Sequence, residues 1–372
     1  MKNIKNIVIS GGNTSVFAFF GFFKYLSENN LLNNVEAYTG TSAGAVTGLL
    51  FSIGYKWNEM YQFNRIFNYS KLYDFSLTSF INNYAFCNMD KFSHFIIKAF
   101  EYKKLNPKMT FKEHFEITKI KVTFTGSCLN DGGCEFFNYI NYPDMEILQA
   151  VKISCCIPFI FPPIIFNNKL WVDGGLFLNY PIEYHDNELD ETIGMAFKDS
   201  CIEKCHVDVT NLPSYMSTVF KCILNGDIKK LLSKYESNTL TFTHEQGVLS
   251  QLEVTPEYVD EIVSKCYEQA KIQYVKIEKF IDVNKTKNII DEVHTENSNE
   301  IEDLAKNIES ETEGIIQNID SETEGIIQNI GSETEGKVEV NKDSGNNNIF
   351  CKKINTNNKS DEEYGIFIDI DT

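Results

Sequence analysis

Short apolar runs alternate with glycine-containing turns through the first fifty residues of the chain. The apolar residues 4–10 have the pattern of a buried strand, and a helical pattern over about residues 15–29 follows them. A second strand is predicted at residues 35–38 and a second helix at residues 45–53. This order predicts an α/β sheet, whose functional site is expected at the carboxyl ends of its strands.

The middle of the chain contains an aromatic-rich, helical stretch at residues 57–104, which we interpret as a cap or insertion beside the site. A further helix is predicted at residues 145–156. The remaining strands are predicted at residues 122–127, 136–139, 170–173 and 192–197, with Asp131-Gly132-Gly133 as the hairpin turn between the first two. One sheet is expected to hold them all.

Residues 214–282 are predicted to be mainly helical. The periodicity is clearest from Pro256, a residue suited to the first turn of a helix. From there apolar residues recur at steps of three or four, at Val259, Val263, Cys266, Ala270, Tyr274, Ile277 and Ile281. A stripe of this kind is typical of core packing, so we expect this helix to pack on the main body.

The composition changes after about residue 283, where Asn, Ser, Glu and Asp become dominant. Of the net charge of −18, −15 belongs to the residues from Asp291 onward, which include 21 acidic and 6 basic side chains. An eleven-residue unit, SETEGIIQNI followed by Asp or Gly, occurs twice in residues 310–331. Its glycine and acidic residues weaken a helix, and the copies are too few for a solenoid. The predicted organisation is therefore a core at 1–200, a helical part at 201–285 and a disordered acidic tail at 286–372.

The charge outside the tail is nearly balanced, which limits the classes of partner. The chain contains one arginine, Arg65. Since nucleic-acid binding requires clustered Lys and Arg, nucleic acid is not predicted as a partner. A neutral or zwitterionic lipid surface is compatible with this balance. The sequence identifies no protein partner.

The ten cysteines lack the spacing of a disulfide framework, so we interpret them as reduced residues of a cytoplasmic protein. Residues 201–206, CIEKCH, resemble half of a zinc site, but no second ligand pair has suitable spacing, and no metal is predicted. The N-terminal apolar run is interrupted at residues 10–14, and the richest apolar runs are shorter than the ~20 residues that cross a bilayer. We therefore expect neither a signal peptide nor a spanning helix, and any membrane contact is predicted to be peripheral.

The clearest candidate chemistry is the motif Gly40-Thr41-Ser42-Ala43-Gly44, between the second predicted strand and its helix. This is the context of a nucleophile elbow, in which a tight turn exposes a serine hydroxyl and flanking glycines, Gly40 and Gly44, let neighbouring chain pass close by. The helix N-terminus favours negative charge developing beside the serine. The same residues also fit an ordinary helix N-terminus rich in small residues, so the other catalytic groups must decide whether Ser42 is a nucleophile.

One possible base for Ser42 is a histidine within a Ser-His-Asp triad. The candidates that follow the serine are His185, His206 and His244, but none lies in a recognisable glycine-containing loop after a clear strand. Only two strands precede Ser42, where an α/β hydrolase has several.

The other possible base is the carboxylate of Asp173, in the segment Trp171-Val172-Asp173-Gly174-Gly175. An apolar strand ends at Asp173, and Gly174 and Gly175 permit a turn at which another loop can approach the carboxylate. The alternative reading of this segment is a plain strand-end turn.

A third element, Ser10-Gly11-Gly12-Asn13, ends the first strand and precedes a helix. A loop of this kind offers backbone N–H groups to an anion. It is not a nucleotide-phosphate loop, because no Gly-Lys-Ser/Thr follows, and the third glycine of a dinucleotide fingerprint is absent.

In this order, the glycine-rich loop, the elbow and the Asp-Gly-Gly segment resemble the motifs of the patatin-like phospholipase family. Residues 154–158, SCCIP, and Asn179-Tyr180-Pro181 resemble the family's sequence before and after its catalytic aspartate, and Ala18 and Gly21 match small residues of its first helix. The resemblance covers about residues 4–200. It implies a three-layer α/β/α fold with a central, mostly parallel sheet.

The resemblance also implies a lipid acyl hydrolase of phospholipase A type that acts on a phospholipid or other acyl lipid at a membrane surface. Ser42 would attack the ester carbonyl with Asp173 as base, and the backbone N–H groups of Gly11, Gly12 and Asn13 would hold the oxyanion. Water would then hydrolyse the acyl-enzyme, without a metal or other cofactor.

The loop departs from the family pattern at Asn13, Ser15 and Val16, where the family has glycine, a basic residue and glycine. Asn tolerates positive φ, so position 13 is compatible with an oxyanion hole. Val16 would be strained if its position requires positive φ. A second hypothesis is therefore a catalytically weakened patatin-like protein that binds lipid or partners, and an unrelated Ser-His-Asp esterase is the third.

Overall fold

The computed structural model describes residues 3–67, 76–199, 228–244 and 255–294, together with Tyr215, Val219 and three short strands near the C-terminus. The chain divides into two compact units, Met1–Ile281 and Asp282–Thr372. All of the predicted site residues lie in the first unit.

A mixed sheet of eight strands forms the centre of the first unit. The strands are β1 (Asn6–Ile9), β2 (Ala37–Gly40), β3 (Lys121–Cys128), β4 (Gly133–Asn138), β5 (Ile164–Phe166), β6 (Lys169–Asp173), β7 (Thr192–Asp199) and β8 (Thr239–His244). Their order is β5-β6-β3-β2-β1-β7-β8, with β4 also paired to β3. The β3–β2, β2–β1, β1–β7 and β7–β8 pairs are parallel, whereas the β3–β4, β3–β6 and β5–β6 pairs are antiparallel. The prediction that one sheet holds all the predicted strands is confirmed.

Helices cover the sheet and connect its strands. They are α1 (Phe19–Glu28), α2 (Ala43–Ser52), α3 (Trp57–Ile66), α4 (Leu77–Asn83), α5 (Asp90–Tyr102), α6 (Phe111–Thr118), α7 (Ile147–Ser154), α8 (Ile228–Lys234) and α9 (Pro256–His294). Short 3₁₀ helices are formed by Asn13–Ala18, Gly174–Leu176, Ile182–Glu191 and Glu236–Asn238.

The strands bury side chains on both faces of the sheet, as expected for a parallel sheet between two helical layers. On β1, Ile7 and Ile9 belong to the larger core, which includes residues of α1, α2, α5, α7 and α9. Val8 points to the other face and belongs to a smaller core with Ala196 of β7 and residues of α8. The α/β/α architecture predicted from the sequence is therefore confirmed.

The long C-terminal helix matches its predicted pattern, and a strand that the sequence did not predict precedes it. α9 begins at Pro256, and the stripe residues Val259, Val263, Cys266, Ala270, Tyr274 and Ile277 are buried. The helix continues past the predicted boundary at residue 285 to His294. Within the span predicted to be mainly helical, residues 239–244 form strand β8 in parallel with β7. Their alternation of β-branched threonine with Leu240 and Phe242 suits a strand of this kind.

The second unit contains three strands, β9 (Lys337–Lys342), β10 (Asn348–Ile354) and β11 (Ile368–Asp369), which form an antiparallel sheet. These strands fall in the tail for which the sequence predicts disorder. The eleven-residue repeat and residues 201–206 lie outside the described residues, so the disorder of the repeat stays a prediction. Within the described part of the chain, no helix combines the length and apolar character needed to span a bilayer.

Candidate active site

The site forms where two strands that share one edge of β3 meet end to end. β4 pairs with residues 123–128 along one edge of β3. The other edge is therefore shared by β2, which pairs with residues 121–124, and by β6, which pairs with residues 126–128. Because β2 is parallel and β6 antiparallel to β3, their carboxyl ends point toward each other and meet opposite Thr125. The elbow after β2 and the Asp-Gly-Gly turn after β6 are brought together at this point.

Ser42 lies two residues beyond the end of β2 and immediately before α2. Its backbone has φ 54° and ψ −121°, a conformation that is rare outside glycine and characteristic of the strained turn at a nucleophile elbow. The N–H of Ser42 donates a hydrogen bond to Oγ of Ser154 at 2.9 Å. This bond fixes the strained residue from a neighbouring helix, since Ser154 is the last residue of α7.

The two motif glycines permit close backbone packing around the elbow. A Cβ added to Gly40 would lie 2.5 Å from the carbonyl group of Gly44. A Cβ added to Gly44 would lie 2.6 Å from the carbonyl oxygen of Ser10. The elbow and the end of β1 therefore pack so closely that a side chain at either glycine requires the backbone to move.

Asp173, the last residue of β6, is buried beside this turn. Its N–H donates to the Cys156 carbonyl at 2.8 Å, and its Oδ1 accepts the N–H of Gly175 at 2.7 Å. Burial raises the pKa of the Asp173 carboxyl to about 7, although the Ser42 side chain and the Gly175 N–H both act to lower it. A carboxyl with this pKa is suited to act as a base near neutral pH.

The second carboxylate oxygen of Asp173, Oδ2, is the one available to receive a proton. No hydrogen bond of regular geometry reaches Oδ2 from the residues that the structure describes. The Ser42 side chain nevertheless lies close enough to lower the pKa of the carboxyl. Hydrogen bonds between a nucleophile and its base are often long or poorly aligned before substrate binds, so this arrangement is compatible with a Ser-Asp pair.

Thr125 of β3 lies between the two turns and contacts both. Its Oγ1 lies 2.7 Å from Oγ1 of Thr41, and a Cβ added to Gly174 would lie 2.7 Å from its Cβ. Ser127 also fixes the Asp-Gly-Gly turn, because its Oγ donates to the Gly174 carbonyl at 3.2 Å. A third strand thus fixes the distance between the serine and the aspartate.

The glycine-rich loop lies against the elbow, as predicted. A Cβ added to Gly11 would be 3.5 Å from Cβ of Ser42. The N–H of Gly11, however, donates to the Asn179 carbonyl at 3.0 Å. In this conformation the Gly11 N–H is engaged, and the N–H groups of Gly12 and Asn13 are the candidate oxyanion donors in the loop.

The strain expected at Val16 is not present. Gly12 is the N-cap of the 3₁₀ helix Asn13–Ala18, and Val16 lies inside this helix, where φ is negative. Valine adopts this region without a steric penalty. In the helix, the first N–H groups have no acceptor within the helix, which leaves that of Asn13 available to an anion.

The two adjacent thiols, Cys155 and Cys156, lie next to the serine and the aspartate. Burial raises the pKa of the Cys155 thiol well above its usual value, and the nearby Asp173 acts in the same direction. The pKa of Cys156 is raised to about 12 for the same reasons, and its Sγ donates to the Pro162 carbonyl at 2.8 Å. Both thiols therefore stay protonated and contribute packing near Ser42 and Asp173.

His185, one of the histidines considered for a Ser-His-Asp triad, bonds to residues other than Ser42. The Nε2 of His185 lies 2.9 Å from Thr39 Oγ1, and its Nδ1 lies 3.3 Å from Glu188. Burial lowers the pKa of His185, which Glu188 partly offsets. Both ring nitrogens thus have partners other than Ser42. His206 lies outside the described residues, and the structure describes only the backbone of His244, at the end of β8.

Three residues that support the site were not given roles by the sequence: Thr125, Ser154 and Asn179. Ser154 and Asn179 belong to segments that resemble the family, but their hydrogen bonds to Ser42 and Gly11 appear only in three dimensions. Thr125 had no sequence signal, since a threonine in a strand is ordinary. Among the described residues, no cluster of His, Cys, Asp or Glu is arranged to hold a metal ion.

The chain is similar in sequence to known proteins. Residues 7–185 match the family model described as Patatin-like phospholipase. The uncharacterized protein R571 of Acanthamoeba polyphaga mimivirus is 28% identical over 259 residues, which cover 67% of this chain and 86% of the viral protein. "Probable lipid hydrolase 463L" of Invertebrate iridescent virus 6 is 32% identical over 214 residues, which cover 50% of this chain and 66% of that protein.

A solved structure shares the fold. The crystal structure of VipD from Legionella pneumophila superposes with a TM-score of 0.51 at 13% identity, and the match covers 83% of this chain and 80% of VipD. At this identity the similarity concerns the arrangement of strands and helices alone.

Proposed function

We propose that the protein is a lipid hydrolase, and specifically an acyl hydrolase of phospholipase A type that uses Ser42 and Asp173 as a dyad, because residues 7–185 match the model of the patatin-like phospholipase family. The observation that carries this proposal is the meeting of β2 and β6 opposite Thr125. It sets a strained serine beside a buried carboxyl whose pKa is about 7. The relative named as a probable lipid hydrolase supports the broader activity.

In the proposed reaction, Oγ of Ser42 attacks the ester carbonyl carbon while Oδ2 of Asp173 takes the hydroxyl proton. The tetrahedral intermediate collapses when Asp173 returns this proton to the leaving alcohol oxygen, which releases the lysolipid and leaves an acyl-serine. Water then attacks the acyl carbon, with its proton passing to Asp173, and the fatty acid leaves as Ser42 regains the proton.

The oxyanion in each tetrahedral step requires N–H donors in fixed positions. We assign the N–H groups of Gly12 and Asn13 to this role, because Gly11 is already bonded to Asn179. Ala43 adds a third candidate donor, since the first N–H of α2 has no acceptor within the helix. In this scheme Gly11 serves close packing against Ser42 and Asn179.

The occupied Gly11 N–H also motivates the second candidate, a patatin-like protein with weakened catalysis that binds lipid. The two proposals predict different results with the same reagents. An active hydrolase releases fatty acid from phospholipid and reacts with an organophosphonate at Ser42, whereas a binding protein does neither.

The decisive experiment is product analysis on mixed phospholipid vesicles with the wild-type chain, Ser42→Ala and Asp173→Asn. We expect free fatty acid from the wild type only. Absence of release on a broad lipid panel, together with no phosphonate labelling of Ser42, would refute the enzyme. Persistent activity in Asp173→Asn would refute the dyad while leaving a serine hydrolase in place.

Single histidine substitutions distinguish the Ser-Asp dyad mechanism from a Ser-His-Asp triad mechanism. We expect His185→Gln to retain hydrolysis, because both ring nitrogens bond to Thr39 and Glu188. His206→Gln and His244→Gln are expected to retain it as well. Complete loss of hydrolysis in one of these folded variants would support the Ser-His-Asp esterase instead.

A further inference from the structure

Two segments without a single charged side chain lie next to each other beside the candidate active site. Residues 76–89 and 153–168 contain no Asp, Glu, Lys, Arg or His. Their backbones are joined by hydrogen bonds from the N–H of Phe86 to the Phe159 carbonyl at 2.9 Å and from Cys87 to Ile160 at 2.8 Å. We refer to these two segments together as the uncharged surface.

The uncharged surface exposes large apolar side chains, a type of side chain that is usually buried. Ile81, Tyr84, Phe159 and Ile165 retain 69%, 73%, 46% and 75% of their accessible area. Phe159 also has a positive φ of 69°, which is unfavourable for a bulky residue, and Tyr84, with φ 60°, is the left-handed C-cap of α4. A group of exposed large apolar side chains on adjoining segments is more easily explained by a binding role than by packing.

The uncharged surface is connected directly to the dyad. Residues 153–168 begin with the end of α7 and continue through Cys155 and Cys156, and the Cys156 carbonyl accepts the N–H of Asp173. The same segment ends in β5, which pairs with β6, the strand that carries Asp173. The exposed apolar residues and the buried serine are therefore parts of one continuous structure.

We infer that the uncharged surface inserts into the interface of a neutral or zwitterionic lipid bilayer and sets the dyad against it. Aromatic and aliphatic side chains of segments that contain no charge partition into such an interface and gain nothing from anionic head groups. A protein partner is less compatible with this composition, since protein interfaces place charged and hydrogen-bonding groups around an apolar centre. The inference that this surface brings the dyad to its substrate rests on the proposed lipid hydrolase function. Vesicle binding itself can be measured without catalysis.

The test is sedimentation of the full chain with sucrose-loaded phosphatidylcholine vesicles, carried out in the Ser42→Ala background. The test variant adds Ile81→Asn, Phe159→Asn and Ile165→Asn, because asparagine tolerates the positive φ at position 159. The matched control adds Ile117→Asn, Leu129→Asn and Ile140→Asn, three exposed apolar residues outside the uncharged surface. Circular dichroism and thermal unfolding establish that each variant is folded.

We expect the vesicle partition coefficient of the test variant to fall by about tenfold or more, since three apolar side chains no longer enter the interface. The control variant is expected to bind like Ser42→Ala, and added salt is expected to leave binding unchanged. Equal binding by the test variant, an equal fall in the control, or a requirement for anionic lipid would each overturn the inference. If the triple variant does not fold, Tyr84→Asn, at another positive-φ position, gives the same comparison with a smaller expected fall.

This experiment separates the two proposals. If the wild-type chain releases no fatty acid but Ser42→Ala binds phosphatidylcholine through the uncharged surface, the hydrolase fails and the lipid-binding surface stands. If hydrolysis occurs but the test variant binds vesicles like its parent, the hydrolase stands and the surface fails.

Discussion

At the scale of single residues, the site depends on a carboxyl that is buried at an energetic cost. In the unfolded chain Asp173 loses its proton near its usual pKa of 3.8, whereas in the folded chain burial raises this pKa to about 7. The protonated carboxyl therefore contributes its full stabilisation below about pH 4, and this contribution is lost as the pH rises through 7. The difference corresponds to about 4 kcal/mol. A buried carboxyl that can accept a proton near neutral pH thus lowers the stability of the folded chain at that pH.

We predict that Asp173→Asn removes this pH dependence as well as the activity. The free energy of unfolding of the variant should rise relative to the wild type between pH 4 and pH 7, by up to about 4 kcal/mol, because the unfolded wild type ionises Asp173 in this range while the folded protein keeps it protonated. Urea unfolding at a series of pH values measures this difference. A parallel pH dependence in both proteins would show that Asp173 does not titrate in this range. In the wild type, kcat/KM should rise through the same range, because a general base must be deprotonated.

Ser154 is predicted to position the nucleophile through its hydrogen bond to the Ser42 N–H. Ser154→Ala leaves this buried N–H without an acceptor, at a cost of about 1–3 kcal/mol, and releases the strained backbone of the elbow. We expect kcat to fall about tenfold or more with little change in KM, and phosphonate labelling of Ser42 to slow in parallel.

Ser52→Ala is the matched control for Ser154→Ala. Ser52 is also buried, and its Oγ donates to the Leu49 carbonyl and bonds to His114 at the far end of α2. Its loss should lower stability without changing the rate of phosphonate labelling. If both variants slow labelling equally, Ser154 acts through general stability and has no positioning role.

At the scale of helices and strands, the contact between α1 and α9 depends on a small residue. A Cβ added to Gly21 of α1 would lie 2.6 Å from the Tyr267 N and 2.7 Å from Cβ of Cys266, both on α9. The sequence identified the stripe of α9 and the small residue of α1 separately. It could not show that they touch, because they are far apart in the chain.

We predict that Gly21→Ala forces these two helices apart and lowers the free energy of unfolding by about 1–3 kcal/mol, in spite of the higher helix propensity of alanine. Gly133→Ala is the control, because a Cβ at Gly133 meets no atom within 4 Å. Denaturant unfolding of both variants measures the effect. An unchanged or raised stability in Gly21→Ala would contradict the close packing of α1 on α9.

The sequence predicted most elements of the fold but not how strands are arranged around the site. Helix α9 was recognisable because its stripe extends over many turns, whereas β5 has only three residues after two prolines and offers no periodicity. β8 lies in a span predicted to be mainly helical, and its six residues were not recognised as a strand. The direction of β6 is not encoded in its pattern, since an alternating strand reads the same in parallel and antiparallel pairs. The motifs therefore predicted which residues meet, and the structure explains how they meet opposite Thr125.

At the scale of the whole molecule, the candidate chemistry and both hydrophobic cores lie within Met1–Ile281. The last described core residue of α9 is Ile277, although the helix continues to His294. The residues after this helix carry most of the negative charge but contribute no residue to the dyad or the oxyanion loop. Catalysis and stability of the first unit are therefore expected to be independent of the acidic tail.

We predict that a chain ending at His294 retains the specific activity and the unfolding midpoint of the first unit, as measured by fatty-acid release and thermal denaturation. A chain ending at Thr255 is the contrasting control. It lacks all of α9 and with it Val259, Cys266 and Tyr274, which are buried in the larger core. Domains are stable by only about 5–15 kcal/mol. Removing several fully buried side chains costs more free energy than this, so the chain ending at Thr255 should not fold. Loss of activity in the chain ending at His294, with folding intact, would instead assign the acidic tail a direct role in catalysis.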